Sequence, residues 1–229
     1  MVTITDWLAA TGTIGLLVVA VTAIFQDKIR AWVTRPKLDV CIDVKPPDCL
    51  KIPMVRYSPE GEQTVEAKSY YFRFRVINRG NQKAESVEVF ANALLKQQAD
   101  NTFEEVVSFL PMNILWANCK KVFFPAISPG MYRHCDLGHI IDPKKRAQFT
   151  AEDSSWDNVP SEKTILSLDT EVKANTLSHL LPFGKYRLVI LVAAANAKPV
   201  ERTLEISLTG EWYDDEQRML GEGVGVRLL

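Results

Sequence analysis

Between Trp7 and Phe25 there is no charged residue, and before Lys28 there is neither lysine nor arginine. A cleavable export signal needs basic residues ahead of a shorter apolar stretch and small residues at its cleavage site. "MVTITD" supplies no base, and "FQDKIRAWVTRPK" supplies no such site. The uncharged run covers 19 positions (7–25), close to the ~20 residues that cross a ~30 Å hydrocarbon core. It predicts one uncleaved transmembrane helix. Nor is there any excess of charge beyond the run. All 27 Lys and Arg follow Phe25, with 27 acids, 28 less Asp6, so the remainder is formally neutral. A neutral body lacks the basic footprint of a nucleic-acid binder.

Other absences narrow the chemistry. No Cys-x-x-Cys pairs occur among Cys41, Cys49, Cys119 and Cys135, so neither a dense disulfide framework nor a structural zinc site is expected. No Asn-x-Ser/Thr glycosylation acceptor, Gly-x-Ser-x-Gly elbow or His-Glu-x-x-His motif is present. No catalytic residue, cofactor or metal is assigned from the sequence.

The flanks of the run set its direction. Lys28, Arg30, Arg35 and Lys37 follow it, and the side richer in Lys and Arg stays cytoplasmic. The N-terminus is therefore expected outside, the remainder on the cytoplasmic face, and those four bases at lipid headgroups. Helical spacing continues through Ile29, Trp32 and Val33 until Pro36 ends it. Gly12, Gly15, Val19 and Thr22 fall on one face, where small side chains let two helices approach in lipid. That stripe predicts a homo-oligomer.

After Lys37 the period changes from helical to two. "LDVCIDV", "YYFRFRVIN", "SVEVFA", "TILSLDTEV", "KYRLVILVAA" and "RTLEISLTG" alternate apolar and polar residues, the mark of half-buried strands. "KPPDC", "NRGNQ", "ISPGM", "LPFGK" and "NAKP" read as turns between them. Seven to nine short strands point to an antiparallel sandwich rather than a βαβ fold.

"YYFRFRVINRGNQKAESVEVFA" resembles the strand–turn–strand of CARDB and related immunoglobulin-like bacterial domains, with Asn-x-Gly closing the first strand and Ala84 opening the next. "LPFGKYRLVILV" and "SPGMYRHCDL" are similar to the Pro-x-Gly-x-Tyr approach to a late sandwich strand. Gly80 in the first of these stretches and Gly184 in "LPFGK" are expected to take positive φ. The whole chain is similar to bacterial membrane-anchored proteins of unassigned function, with one helix, "RPK" and a β domain. The resemblance implies an immunoglobulin-like sandwich.

Four stretches could carry chemistry or contacts. "HCDLGH" offers His134, Cys135, Asp136 and His139. On a regular strand His134 and Asp136 share one face while Cys135 and His139 take the other, which spoils a four-ligand site. In "EWYDDEQRMLGEG", Asp214 is placed to cap a short helix that Gly221 ends, and "GEGVGV" lacks the strand-then-helix setting of a phosphate loop. "DPKKRAQF" reads as a solvated basic loop. "SFLPMNILWAN" either fills the core or exposes Phe109, Met112 and Trp116 as a docking surface.

The expected organisation is a transmembrane helix with its extension over 1–36, then a β-sandwich over 37–229 with a short helix near 214–221. The expected function is a membrane-tethered, non-enzymatic binding, signalling or scaffolding module with an unidentified protein partner and no nucleic acid. The alternatives are a metal- or ligand-dependent enzyme built on the strand from His134 to His139, and a membrane effector of a bacterial defence system.

Overall fold

The computed structural model of the chain describes residues 13–17, 19–26, 34–149 and 161–229. Helix α1 covers 13–17 and 19–26, with Ile14, Leu16, Leu17, Val19 and Ile24 all exposed. Among the described residues no helix is long and apolar enough to cross a membrane. The predicted span is thus not supported by them. Its first residues, 7–12, and the predicted extension through 27–33 lie outside the described residues.

The strands form two antiparallel sheets. One contains β1 (Leu38–Cys41), β2 (Cys49–Tyr57), β3 (Gln63–Asn78), β8 (Tyr132–Ile141), β9 (Leu166–Leu168) and β10 (Leu180–Leu181). Its order is β1-β3-β8-β9-β10, with β2 sharing the β1 edge of the long β3. The other contains β4 (Ala84–Gln97), β5 (Phe103–Glu105), β6 (Met112–Asn113), β7 (Phe123–Ile127), β11 (Gly184–Ala194), β12 (Ala197–Leu208) and β13 (Val224–Leu228). Its order is β13-β12-β11-β4, and β5, β6 and β7 in turn occupy the outer edge of β4.

Period-two alternation builds the core. Tyr70, Phe72, Phe74 and Val76 of β3 are fully buried, while Tyr71, Arg73, Arg75 and Ile77 face outward. Val87 and Val89 of β4, Leu188, Ile190 and Val192 of β11, and Leu204 and Ile206 of β12 complete a single apolar cluster between the sheets. Residues 114–117 pass from one sheet to the other: the Ile114 N–H donates to Val89 of β4, and Trp116 bridges to Cys135 of β8.

More strands form than periodicity predicts. β5, β6 and β10 have two or three residues, too few to display a period. β13 hides its alternation behind Gly225. "NAKP" is partly strand: Pro199 lies in β12 where the pairing with β11 is irregular, between Val192 and Ala194, and where β13 does not reach. A proline without an N–H is tolerated there. "DPKKRAQF" is largely helix α2 (Pro143–Phe149), not a loop. Asp215, one residue later than expected, caps α3 (Glu216–Arg218) by accepting from the Arg218 N–H. Gly221 does not end the helix as expected but lies inside a π turn, Met219–Gly223, that leads into β13.

The two turn glycines work differently. Gly184 takes φ +144°, as expected. Gly80 is not among the positive-φ residues. It is glycine because a Cβ would press against the Arg35 carbonyl oxygen and lie 2.5 Å from the Lys37 nitrogen. Backbone cannot yield as a flexible side chain does. Gly80→Ala should therefore cost about 2 kcal/mol or more by overpacking, read as a lowered urea midpoint; an unchanged midpoint would mean that the 35–37 segment is not held there.

Every residue of the core cluster lies at or after Leu38. A chain starting at Thr34 should accordingly give a β-type circular dichroism spectrum and one cooperative melt. A non-cooperative melt would make the N-terminal segment part of the folding unit.

Candidate functional site

The outer face of β3 and β8 carries a ladder of polar residues. The strands pair Arg75 with His134, Arg73 with Asp136 and Tyr71 with His139. Leu137 is an extra residue between the Arg73–Asp136 and Phe72–Gly138 pairs, a β-bulge that shifts the alternation by one. His139 consequently stands on the same face as His134 and Asp136, and Leu137 turns inward and is fully buried. This corrects the expectation that His139 faces the other way. Gly138 makes the bulge fit, because a Cβ there would collide with the Ser167 carbonyl of β9.

Asp48 closes one end of the ladder. Its side chain is fully buried and accepts from the Asp43 N–H (2.9 Å) and Arg75 Nε (3.0 Å), with His134 Nε2 at 3.0 Å. Arg75 also reaches Asp43 at 2.7 Å and lies over the Tyr132 ring. A buried carboxylate is tolerated only with such partners. At the other end Asp169 meets His139 Nδ1 at 3.0 Å and Lys173 at 3.8 Å, and Tyr71 stacks on His139.

Asp136 lies in the middle with the weakest partner, Arg73 at 3.6 Å. Arg73 Nε is buried without a hydrogen-bond acceptor. Burial, reinforced by the Asp169 charge, raises the Asp136 carboxyl to about 6. The Asp214 carboxyl moves the opposite way, to about 2, because the Lys51 and Lys68 ammonium groups bond to it. It pins the C-terminal turn onto β2 and β3, and Tyr70 donates to the Tyr213 carbonyl beside it.

Next to His134 an open groove of about 560 Å³ is lined by Asn118, Phe124, Gly130, Met131, Tyr132 and Arg133 among others. The Arg133 guanidinium stacks over Phe124 at 5.0 Å, and Phe124 packs on Trp116. This places a cation at the mouth between the sheets.

Of the residues named from sequence, Phe109 and Trp116 are buried core side chains and Met112 is half-buried on β6, so "SFLPMNILWAN" mainly fills the sandwich rather than presenting those three for docking. Gly15, Val19 and Thr22 lie on α1 with exposed positions, and Gly12 lies outside the described residues. Arg35 and Lys37 are exposed beside the β3–β4 turn, whereas Lys28 and Arg30 lie outside the described residues. All four cysteines are free thiols. Among the described residues no three His, Cys, Asp or Glu side chains are grouped to hold a metal ion. Sequence reading missed Asp48, Asp169, Arg73 and Arg75. The last two had a signal, since Tyr71, Arg73 and Arg75 alternate with the core residues Phe72, Phe74 and Val76.

No protein-family model matches the chain, and no curated protein matches it. A Northeast Structural Genomics Consortium target solved by X-ray crystallography is similar over 79% of this chain and 92% of its own, at 13% identity and a TM-score of 0.29.

Asp136 generates a pH test. Its carboxyl is held above the ordinary 3.8, so the folded state takes up the proton more readily than the unfolded state between about pH 4 and 6. Stability from this group is present below about pH 4 and falls as pH rises to about 6, by on the order of 2 kcal/mol. Asp136→Asn should gain on the parent across that window in urea melts at successive pH values. A constant difference between the two would refute the shift.

Proposed function

We propose that the chain is a membrane-tethered, non-enzymatic binding or scaffolding module, with a CARDB-like, immunoglobulin-like sandwich held on the cytoplasmic face. The observation that carries the reading is the uncharged run from Trp7 to Phe25, followed only afterwards by Lys28, Arg30, Arg35 and Lys37. The exposed apolar side chains of α1 support it, since a helix with Ile14, Leu17 and Ile24 in water would be unfavourable. The binding role is supported by the outer face of β3 and β8. There Asp48 is held by Arg75 and His134, and Asp169 by His139 and Lys173, all of the same chain, which suits a stiff recognition surface better than a group that must trade protons. Self-association through Gly12, Gly15, Val19 and Thr22 belongs to the same proposal.

Full-length chain in native membranes should stay in the pellet after alkaline carbonate washing, while a chain starting at Thr34 should not. A reporter active only in the cytoplasm, fused after Leu229, should be active. Release of the full chain by carbonate would overturn the tether, and activity of a periplasm-only reporter would reverse the orientation.

A further inference from the structure

The described chain enters the sandwich at one end, and that end has a composition of its own. The Arg35 N–H donates to Asn81 Oδ1 and the Arg79 N–H to the Lys37 carbonyl. Asn78 donates its N–H to the Met131 carbonyl and accepts from the Gly130 N–H. The 35–37 segment, the β3–β4 turn and the β7–β8 turn therefore form one surface. On it Met131 and Tyr132 are 51% and 42% exposed. Arg35, Lys37, Lys83 and Arg133 are exposed as well. None of these four bases has an ion-pair partner among the described residues. The acids nearby are Asp39, already held by Arg79 and Arg202, and the exposed Glu85.

We propose that this end of the sandwich rests on an anionic bilayer surface, with Met131 and Tyr132 at the headgroup level and Arg35, Lys37, Lys83 and Arg133 against lipid phosphates. The inference rests on the tether proposed above and adds the face that the tether presents. Three observations carry it. The uncharged run ends ten residues before Arg35 (35 less 25), at most roughly 33 Å of extended chain and half that as helix. The surface pairs an aromatic and a flexible apolar side chain with unpaired bases, the composition that suits an anionic interface. Among the other exposed apolar side chains, the adjacent Val107 and Leu110 follow Glu104 and Glu105 and have the wrong charge for such a surface. Arg133, stacked on Phe124 in the groove, is preorganised with its N–H groups free of any carboxylate.

The test uses the full chain reconstituted in symmetric vesicles of phosphatidylcholine, with and without phosphatidylserine, followed by flotation and amide hydrogen exchange. The chain should float with both. Exchange over 78–83 and 128–133 should slow about threefold or more only when phosphatidylserine is present. It should return on adding salt and in Lys83→Glu/Arg133→Glu. Exchange over 104–110 should not change with lipid. A cooperative melt like the parent's serves as the folding control for the double variant. Flotation without protection, protection equal on both lipids, or protection retained in the variant would each overturn the docking and leave the tether standing. Failure to float on either would overturn both.

Discussion

Asn78 is fully buried, and every polar atom it has is engaged. Oδ1 accepts from the N–H groups of Lys37 (3.1 Å) and Gly80 (3.0 Å). Nδ2 donates to the carbonyls of Gln82 (2.7 Å) and Ile127 (2.9 Å). Its backbone pairs with Met131 and Gly130. These bonds join the lead-in to β1, the end of β3, the turn before β4, the end of β7 and the start of β8. Since β7 belongs to one sheet and β1, β3 and β8 to the other, one amide side chain fixes where the two sheets meet. Few residues could replace it. Aspartate lacks the two donors, and alanine leaves four backbone groups to find water or stay unsatisfied. Gly80 completes the knot by letting the backbones of 35–37 and 80 touch.

The polar ladder depends on the same closure. Its strands are fixed in register by the apolar side chains beneath, so the charges above must accept the positions they are given. The bulge at Leu137 decides which charges these are. Without it, His139 would point into the core and Asp169 would keep only the longer contact to Lys173. The ladder's energetic value is small or adverse at Asp136, where desolvation outweighs a long contact to Arg73, and better at Asp48, where the Arg75 guanidinium, the His134 ring and a backbone N–H converge. Such an arrangement specifies register and surface shape more than it adds stability.

The longer strands of the fold were legible where burial alternates cleanly, and the nine-residue β2 was missed because its side chains are mostly half-buried without a clear alternation. β3, β4, β11 and β12 follow directly from the alternation of their residues. The short β5, β6 and β10 were not legible, because they exist through pairing with β4 or β9 rather than through their own pattern. The site was half legible. "HCDLGH" drew notice from its composition, but its geometry came from a bulge that depends on Gly138 packing against Ser167. Asp48 and Asp169 reach the ladder from other parts of the chain, 86 and 30 residues from their histidines. No local pattern encodes such meetings. Trp116 looked exposable as one of several adjacent apolar residues, yet the crossing of 114–117 between the sheets buries it.

The Asn-x-Gly signature then acquires a mechanical meaning. From Arg35 onward the chain is bonded at each step: Arg35 to Asn81, Lys37 to Asn78 and Arg79, and the ring of Pro36 buried between them. Proline also fixes its own φ near −65°. A pull or a tilt applied to the N-terminal segment is therefore delivered to the β3–β4 and β7–β8 turns together, not absorbed by a loose linker. The groove holding Arg133 and His134 begins at that same β7–β8 turn, through Gly130 and Met131. His134 in turn carries the buried Asp48. The segment before the sandwich and the polar ladder are thus joined by a short path of hydrogen bonds and strand pairing. In this fold, the residues that hold the 35–37 segment are the ones that border the polar ladder.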